Sequence, residues 1–77
     1  MANGVGFGTV GRIHRGFGVG TIQPADGGED IIFTDNVVAG GEDAFKNLRE
    51  GDRVRYQKYP GEVGGKPFAE DVWPMTQ

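Results

Sequence analysis

The sequence predicts an all-β fold, a small closed barrel or sandwich of about five short strands. Three observations carry that expectation. Apolar and aromatic residues alternate at period two with glycine or polar residues over several short runs. Turn signals built from Pro, Gly, Asp and Asn recur at close spacing between those runs. No segment sustains the apolar period of a long helix, which leaves many short strands as the organising element.

The first strand signals lie in residues 1–22, and they repeat. Gly4-Val5-Gly6-Phe7-Gly8-Thr9-Val10 and Gly16-Phe17-Gly18-Val19-Gly20-Thr21-Ile22 share the pattern Gly-x-Gly-x-Gly-Thr-(Val/Ile) at a 12-residue offset. Alternation places the glycines on one face and Val5, Phe7 and Thr9 on the other. The two strands are expected to pair antiparallel across Gly11–Arg15. Glycines cost backbone entropy and give register little to hold. Their face admits two readings: close approach by a ligand or a second backbone, or a sharply curved strand in a small barrel. A phosphate-binding loop does not fit, because the motif needs a following helix N-terminus, and Pro24 with Asp26-Gly27-Gly28 follows instead.

Residues 16–34 read as strand, turn, strand. Pro24 presets φ and Asp-Gly-Gly supplies positive φ cheaply, so a hairpin is expected. In its return strand, Ile31 and Phe33 share one face and Ile32 and Thr34 the other. The carboxylates of Asp26, Glu29, Asp30 and Asp35 lack the spacing of a calcium loop and read as turn and strand-end groups. Residues 39–51 read as a loop with one helical turn. The next strand, Asp52–Tyr59, puts Val54 and Tyr56 on one face and Arg53 and Arg55 on the other. Residues 60–67 read as a long turn, and Phe68–Trp73 as a last strand stopped at Pro74. Trp73 and Tyr59 are expected to pack rather than to offer stacking platforms.

Composition narrows the function. A chain of 77 residues is a single domain that buries only about 60–65% of its surface on folding. It has no cysteine and one histidine, His14, so neither a disulfide frame nor a thiolate or His-based metal site is expected. It also lacks serine, which removes Ser-nucleophile chemistry, and His14 has no identifiable acid–base partner. A non-catalytic protein without cofactor or metal is expected. No apolar run approaches the roughly 20 residues of a membrane span, and the start lacks a signal peptide's basic segment and apolar core. A soluble, cytoplasmic protein is the resulting expectation. The net charge of −3 gives no overall attraction to polyanions. Any such attraction must come from a locally basic face, and Arg12-Ile13-His14-Arg15 is the densest basic cluster in the first half.

The second half carries the most specific motif. Phe45-Lys46-Asn47-Leu48-Arg49-Glu50-Gly51-Asp52-Arg53-Val54-Arg55-Tyr56 resembles the cold-shock domain pattern Gly-Phe-Lys-x-Leu-x-Glu-Gly-x-x-Val-x-Phe. Gly65-Lys66-Pro67-Phe68-Ala69-Glu70-Asp71-Val72 is similar to that family's closing strand. Gly18-x-Gly20-x-Ile22-x-Pro24-x-Asp26-Gly27 and Asp30-Ile31-Ile32-Phe33 follow the frame of its two ribonucleoprotein-like motifs. The resemblance spans roughly residues 8–73. It implies a five-stranded antiparallel OB-type barrel over that range, preceded by a Gly-rich strand or arm over about residues 1–8.

The resemblance also implies single-stranded RNA or DNA as partner, bound by stacking bases on outward aromatics. A gapless alignment puts Arg12 in the place of the family's tryptophan and Val19 and Thr21 in the places of two phenylalanines. Ile32, Thr34 and Asp35 then stand for phenylalanine, histidine and phenylalanine. An alternative alignment matches Arg15-Gly16-Phe17-Gly18 to the family's Lys-Gly-Phe-Gly and keeps one ring at Phe17. Each stacked base is worth roughly 1–3 kcal/mol, so the losses remove most of the family's affinity, and Asp35 repels phosphates. Phe45 and Lys46 match a loop aromatic and lysine that contact nucleic acid in the family; Phe45 can also be read as a ring capping the barrel. With Arg12, His14, Arg15, Phe17, Lys58 and Lys66 they form the candidate interface. The expected function is weak, salt-dependent binding of single strands. The alternative is a protein-interaction or self-assembly module that kept the barrel, forming a homodimer through the Gly-rich N-terminal strand or contacts through an apolar patch of Ile13, Val19 and Ile32.

Overall fold

Inward and outward side chains alternate along five strands that close on themselves. The computed structural model describes residues 4–75. The strands are β1 (Val5–His14), β2 (Val19–Pro24), β3 (Ile31–Thr34), β4 (Arg53–Val63) and β5 (Lys66–Pro74), with one helix, α1 (Gly41–Asn47). They form a closed barrel in the order β1-β2-β3-β5-β4. Neighbours pair antiparallel except β3 and β5, which run parallel with Ile32 beside Phe68. This is the expected small all-β, OB-like barrel.

The core follows from the alternation. Val10, Ile22, Ile31, Phe33, Val54, Tyr56, Ala69 and Val72 point inward from the strands, and Val38, Phe45 and Leu48 close the barrel from the β3–β4 connection. Gly6, Gly8 and Gly20 lie on the same inward side. A Cβ on Gly6 would sit 2.6 Å from the Tyr56 hydroxyl, and one on Gly8 would overlap the Gln23 carbonyl oxygen. One on Gly20 would sit 2.6 Å from the Phe33 ring. The glycine face is therefore the floor on which the core rings lie in a narrow barrel, rather than a ligand surface.

Several boundaries differ from expectation. β1 runs on to His14, past the expected turn at Gly11–Arg15, because it carries a bulge. Val10 pairs with Ile22 and Ile13 with Gly20, so Gly11 and Arg12 together face Thr21, and the Arg12 N–H donates to the Thr21 hydroxyl at 3.1 Å. A bulge bends a strand, which lets β1 serve both β2 and β4. The turn itself is a 3-10 turn at Arg15–Phe17, closed by Gly18 at φ 65°. Residues 5–8 belong to the barrel, since β1 pairs with β4 from Val5 opposite Gln57 to Thr9 opposite Arg53. The rest of the expected arm, residues 1–3, lies outside the described residues. Ile13 packs against the core, which removes it from the expected outward apolar patch.

The helix is longer than one turn, and the expected long turn at 60–67 is instead the tip of the β4–β5 hairpin. Glu62 pairs with Pro67 and Val63 with Lys66. Gly64 and Gly65 make the turn at φ 61° and 79°, a region closed to most side chains. Pro60 is tolerated because, among the described residues, β4 has no strand on its outer edge beyond the bond from the Lys58 N–H to the Gly4 carbonyl at 2.9 Å.

Burial raises the Tyr56 phenol above its ordinary pKa, and the Asp26 carboxylate adds to the rise. The unfolded chain loses this proton near pH 10 while the folded chain keeps it. The stability contribution is therefore intact below about pH 10 and is lost as pH rises through the folded value. Tyr56→Phe should flatten the alkaline fall in Tm above about pH 10, relative to the parent, in melts taken between pH 8 and 11. Parallel alkaline profiles would contradict this origin.

Candidate nucleic-acid interface

The end of β1 and the turn after it carry Arg12, His14, Arg15 and Phe17, half of the expected site. Arg12 and His14 are exposed there, with His14 opposite the outward Val19. Phe17, in the following turn, is 86% exposed, far more than any other large apolar side chain described. Its ring spends hydrophobic surface in water.

Arg15 has a different task. Its Nη1 donates to the carbonyls of Phe45 at 3.3 Å and Lys46 at 3.0 Å, and its Nη2 donates to that of Leu48 at 2.6 Å. Those oxygens belong to the last turn of α1 and the residue beyond it, where carbonyls lack partners within the helix and carry the negative end of its dipole. The guanidinium caps that end and ties the turn to α1. Arg15, Phe45 and Lys46 are thus brought together, but through the backbone. The same tie places the exposed Lys46 beside the basic turn.

Phe45 is not available to a base. It is 4% exposed and meets Phe33 edge-to-face, with centroids 6.1 Å apart and planes at 70°. Of its two readings, the capping ring holds. Asp35 and Glu42 border the hollow between Arg15 and Lys46, so the potential there is mixed. Asp35 is locked by its N–H bond to the Gly18 carbonyl at 2.8 Å, and its carboxylate lies against Gly18, 2.7 Å from where a Cβ would be.

The β2–β3 face is poor in rings. Val19, Thr21, Ile32 and Thr34 point outward there and are half-buried, with the half-buried ring of Phe68 next to Ile32. The Thr34 hydroxyl donates to the Asn36 side-chain carbonyl. Lys58 and Lys66 are exposed on the β4–β5 hairpin, where the Lys58 N–H bonds the Gly4 carbonyl beside the start of β1, at the opposite end of that strand from His14. They do not join the Arg12–Phe17 cluster.

Two aromatics that the sequence assigned to packing stand on the surface: Tyr59 is 48% exposed and Trp73 36%. Phe7, which alternation placed on the face opposite the glycines and which was not counted in the site, is 53% exposed. Strand parity was the available signal for Trp73, because Val72 before it points inward. Among the described residues, no three of His, Asp and Glu gather as a possible metal site. Comparison with protein-family models and with curated proteins finds no match for this chain.

Proposed function

We propose that this barrel binds single-stranded RNA or DNA, weakly and without catalysis, through the turn at Arg12–Phe17 and the neighbouring Lys46. The observation that carries the proposal is Phe17, an almost fully exposed ring on a turn whose preceding residues are basic. Single-strand binders combine such rings, on which any base stacks, with cations that track the phosphates. Support also comes from the barrel order and from the sequence resemblance to cold-shock domains. The β2–β3 face, without exposed rings, supplies little of the affinity, and Arg15 contributes by holding the turn in place.

Titration of labelled oligo-dT and a mixed-sequence RNA at two salt concentrations tests this. Affinity should fall steeply with salt, since each neutralised phosphate contributes about −0.7 to the log–log slope. Phe17→Ala should weaken binding about fivefold or more. Lys46→Ala and Arg12→Ala should each reduce the slope by roughly 0.7. Absence of binding at low salt would overturn the proposal.

A second reading, a protein-contact module, draws on Tyr59 and Val63, exposed together on the β4–β5 hairpin. A homodimer through the Gly-rich strand would need exchange of β1 between copies, because β1 is already paired with both β2 and β4. Sedimentation across micromolar to millimolar concentration separates the two readings.

A further inference from the structure

The outer face formed by β1, β4 and β5 has a composition of its own. Register places Phe7 opposite Arg55 and Arg55 opposite Trp73, so the three side chains form one row across three strands. The row beside it holds Thr9 opposite Arg53, and the Met75 N–H donates to the Arg53 carbonyl at 3.0 Å. The row on the other side holds Val5, Gln57 and Asp71. All point away from the core, because Gly8, Val54, Tyr56 and Val72 fill the alternate inward positions.

Within this grid the Arg55 guanidinium lies over the Trp73 indole, its Cζ 5.2 Å from the ring centroid. Such a contact orients the guanidinium without occupying its hydrogen-bond donors. Among the described residues, the side chains of Arg53 and Arg55 have no hydrogen-bond or ion-pair partner. Two free guanidiniums stand two residues apart on one strand, about 7 Å, against one carboxylate on the grid, Asp71. In a chain of net charge −3 this is a locally cationic face set with rings. An open groove of about 320 Å³ flanks it, bordered by Phe7, Thr9, Pro24, Arg53 and Met75.

We infer that this face is a second contact surface for the same single strand. Phe7, the Arg55 guanidinium plane and Trp73 are its stacking platform, and the free donors of Arg53 and Arg55 are its phosphate contacts. Guanidinium planes and indoles both stack bases, and the free donors of the two arginines match phosphate oxygens. β1 joins this face to the first, since Phe7 and Arg12 lie on the same strand. The inference rests on the nucleic-acid reading above, and its test separates the two.

Trp73 is the only tryptophan, so its fluorescence reports on this face alone. Oligo-dT should be titrated at low salt while anisotropy of the labelled strand and indole emission are followed together. Quenching should saturate in step with anisotropy. Arg53→Gln with Arg55→Gln should weaken binding about fivefold or more and reduce the salt slope by roughly 1.4, the share of two phosphates. Phe7→Ala should also weaken binding. All three positions are exposed, and the unmodified chain's quenching needs no variant. Binding with a silent indole and unchanged affinity in these variants overturns the inference and leaves the first site standing. No anisotropy change at low salt overturns both.

Discussion

Gly20→Ala should lower the melting temperature by roughly 4–24 °C, from an overpacking cost of about 1–3 kcal/mol and a shift of about 4–8 °C per kcal/mol in a domain of this size. The added methyl would lie 2.6 and 2.8 Å from two Phe33 ring carbons and 3.0 Å from the Arg12 carbonyl. None of these neighbours can withdraw. Phe33 is fully buried and braced by Phe45, while the Arg12 carbonyl is part of the β1 bulge. The clash is with a ring and a backbone, not with the free end of a flexible chain. Gly16→Ala is the matched control, since nothing lies within 4 Å of a Cβ there. It should leave stability unchanged or raise it by up to about 1 kcal/mol through the unfolded chain. Phe33→Leu in the Gly20→Ala background should recover part of the loss, because the shorter side chain vacates the contested space. Equal melting temperatures for Gly16→Ala and Gly20→Ala would show that the inward glycines do not set the barrel's tight packing.

Arg15→Ala should destabilise the domain by about 1–2 kcal/mol, the low end for charge-assisted hydrogen bonds, because the released carbonyls can reach water. The three carbonyls it holds, those of Phe45, Lys46 and Leu48, lie at one helix terminus. The loss should therefore appear locally as fraying. Amide exchange should quicken in the last turn of α1, including at Leu48, whose N–H donates to the Phe45 carbonyl at 3.1 Å. Arg15→Lys should recover little, since a single ammonium cannot reproduce a fork engaged with three acceptors. Oligonucleotide affinity should fall with Arg15→Ala even though Arg15 is not a phosphate contact, because the turn carrying Phe17 loses its attachment beside Lys46. Unchanged exchange at Leu48 would contradict the capping role.

Much of the barrel was legible in the sequence because period-two alternation survives translation into structure directly. Ile31 and Phe33, Val54 and Tyr56, and the glycines of β1 all lie on the faces that alternation assigns. What alternation misses is a change of phase. The bulge at Gly11–Arg12 turned Ile13 inward, and no local signal marks that extra residue. Gly64-Gly65 is a strong turn signal, yet Pro60 and Gly61 beside it blurred where the hairpin ended. The site was less legible for a different reason. Phe45 matches a family pattern but is buried because α1 packs it against Phe33, a contact between residues 12 positions apart. Arg15 looks like a surface cation, and only the fold brings three carbonyls to it. Phe7, Arg55 and Trp73 come from three strands distant in sequence, so their row exists only once the register is known.

The central claim is that the barrel contacts a single strand at its basic turn rather than on the β2–β3 face. Backbone amide shifts mapped during an oligo-dT titration at low salt address it most directly. The claim predicts that the largest shifts fall at residues 12–17 and at Lys46, moving less as salt is raised, with Thr21, Ile32 and Thr34 little changed. Shifts confined to the β2–β3 face, or none at all, would contradict it.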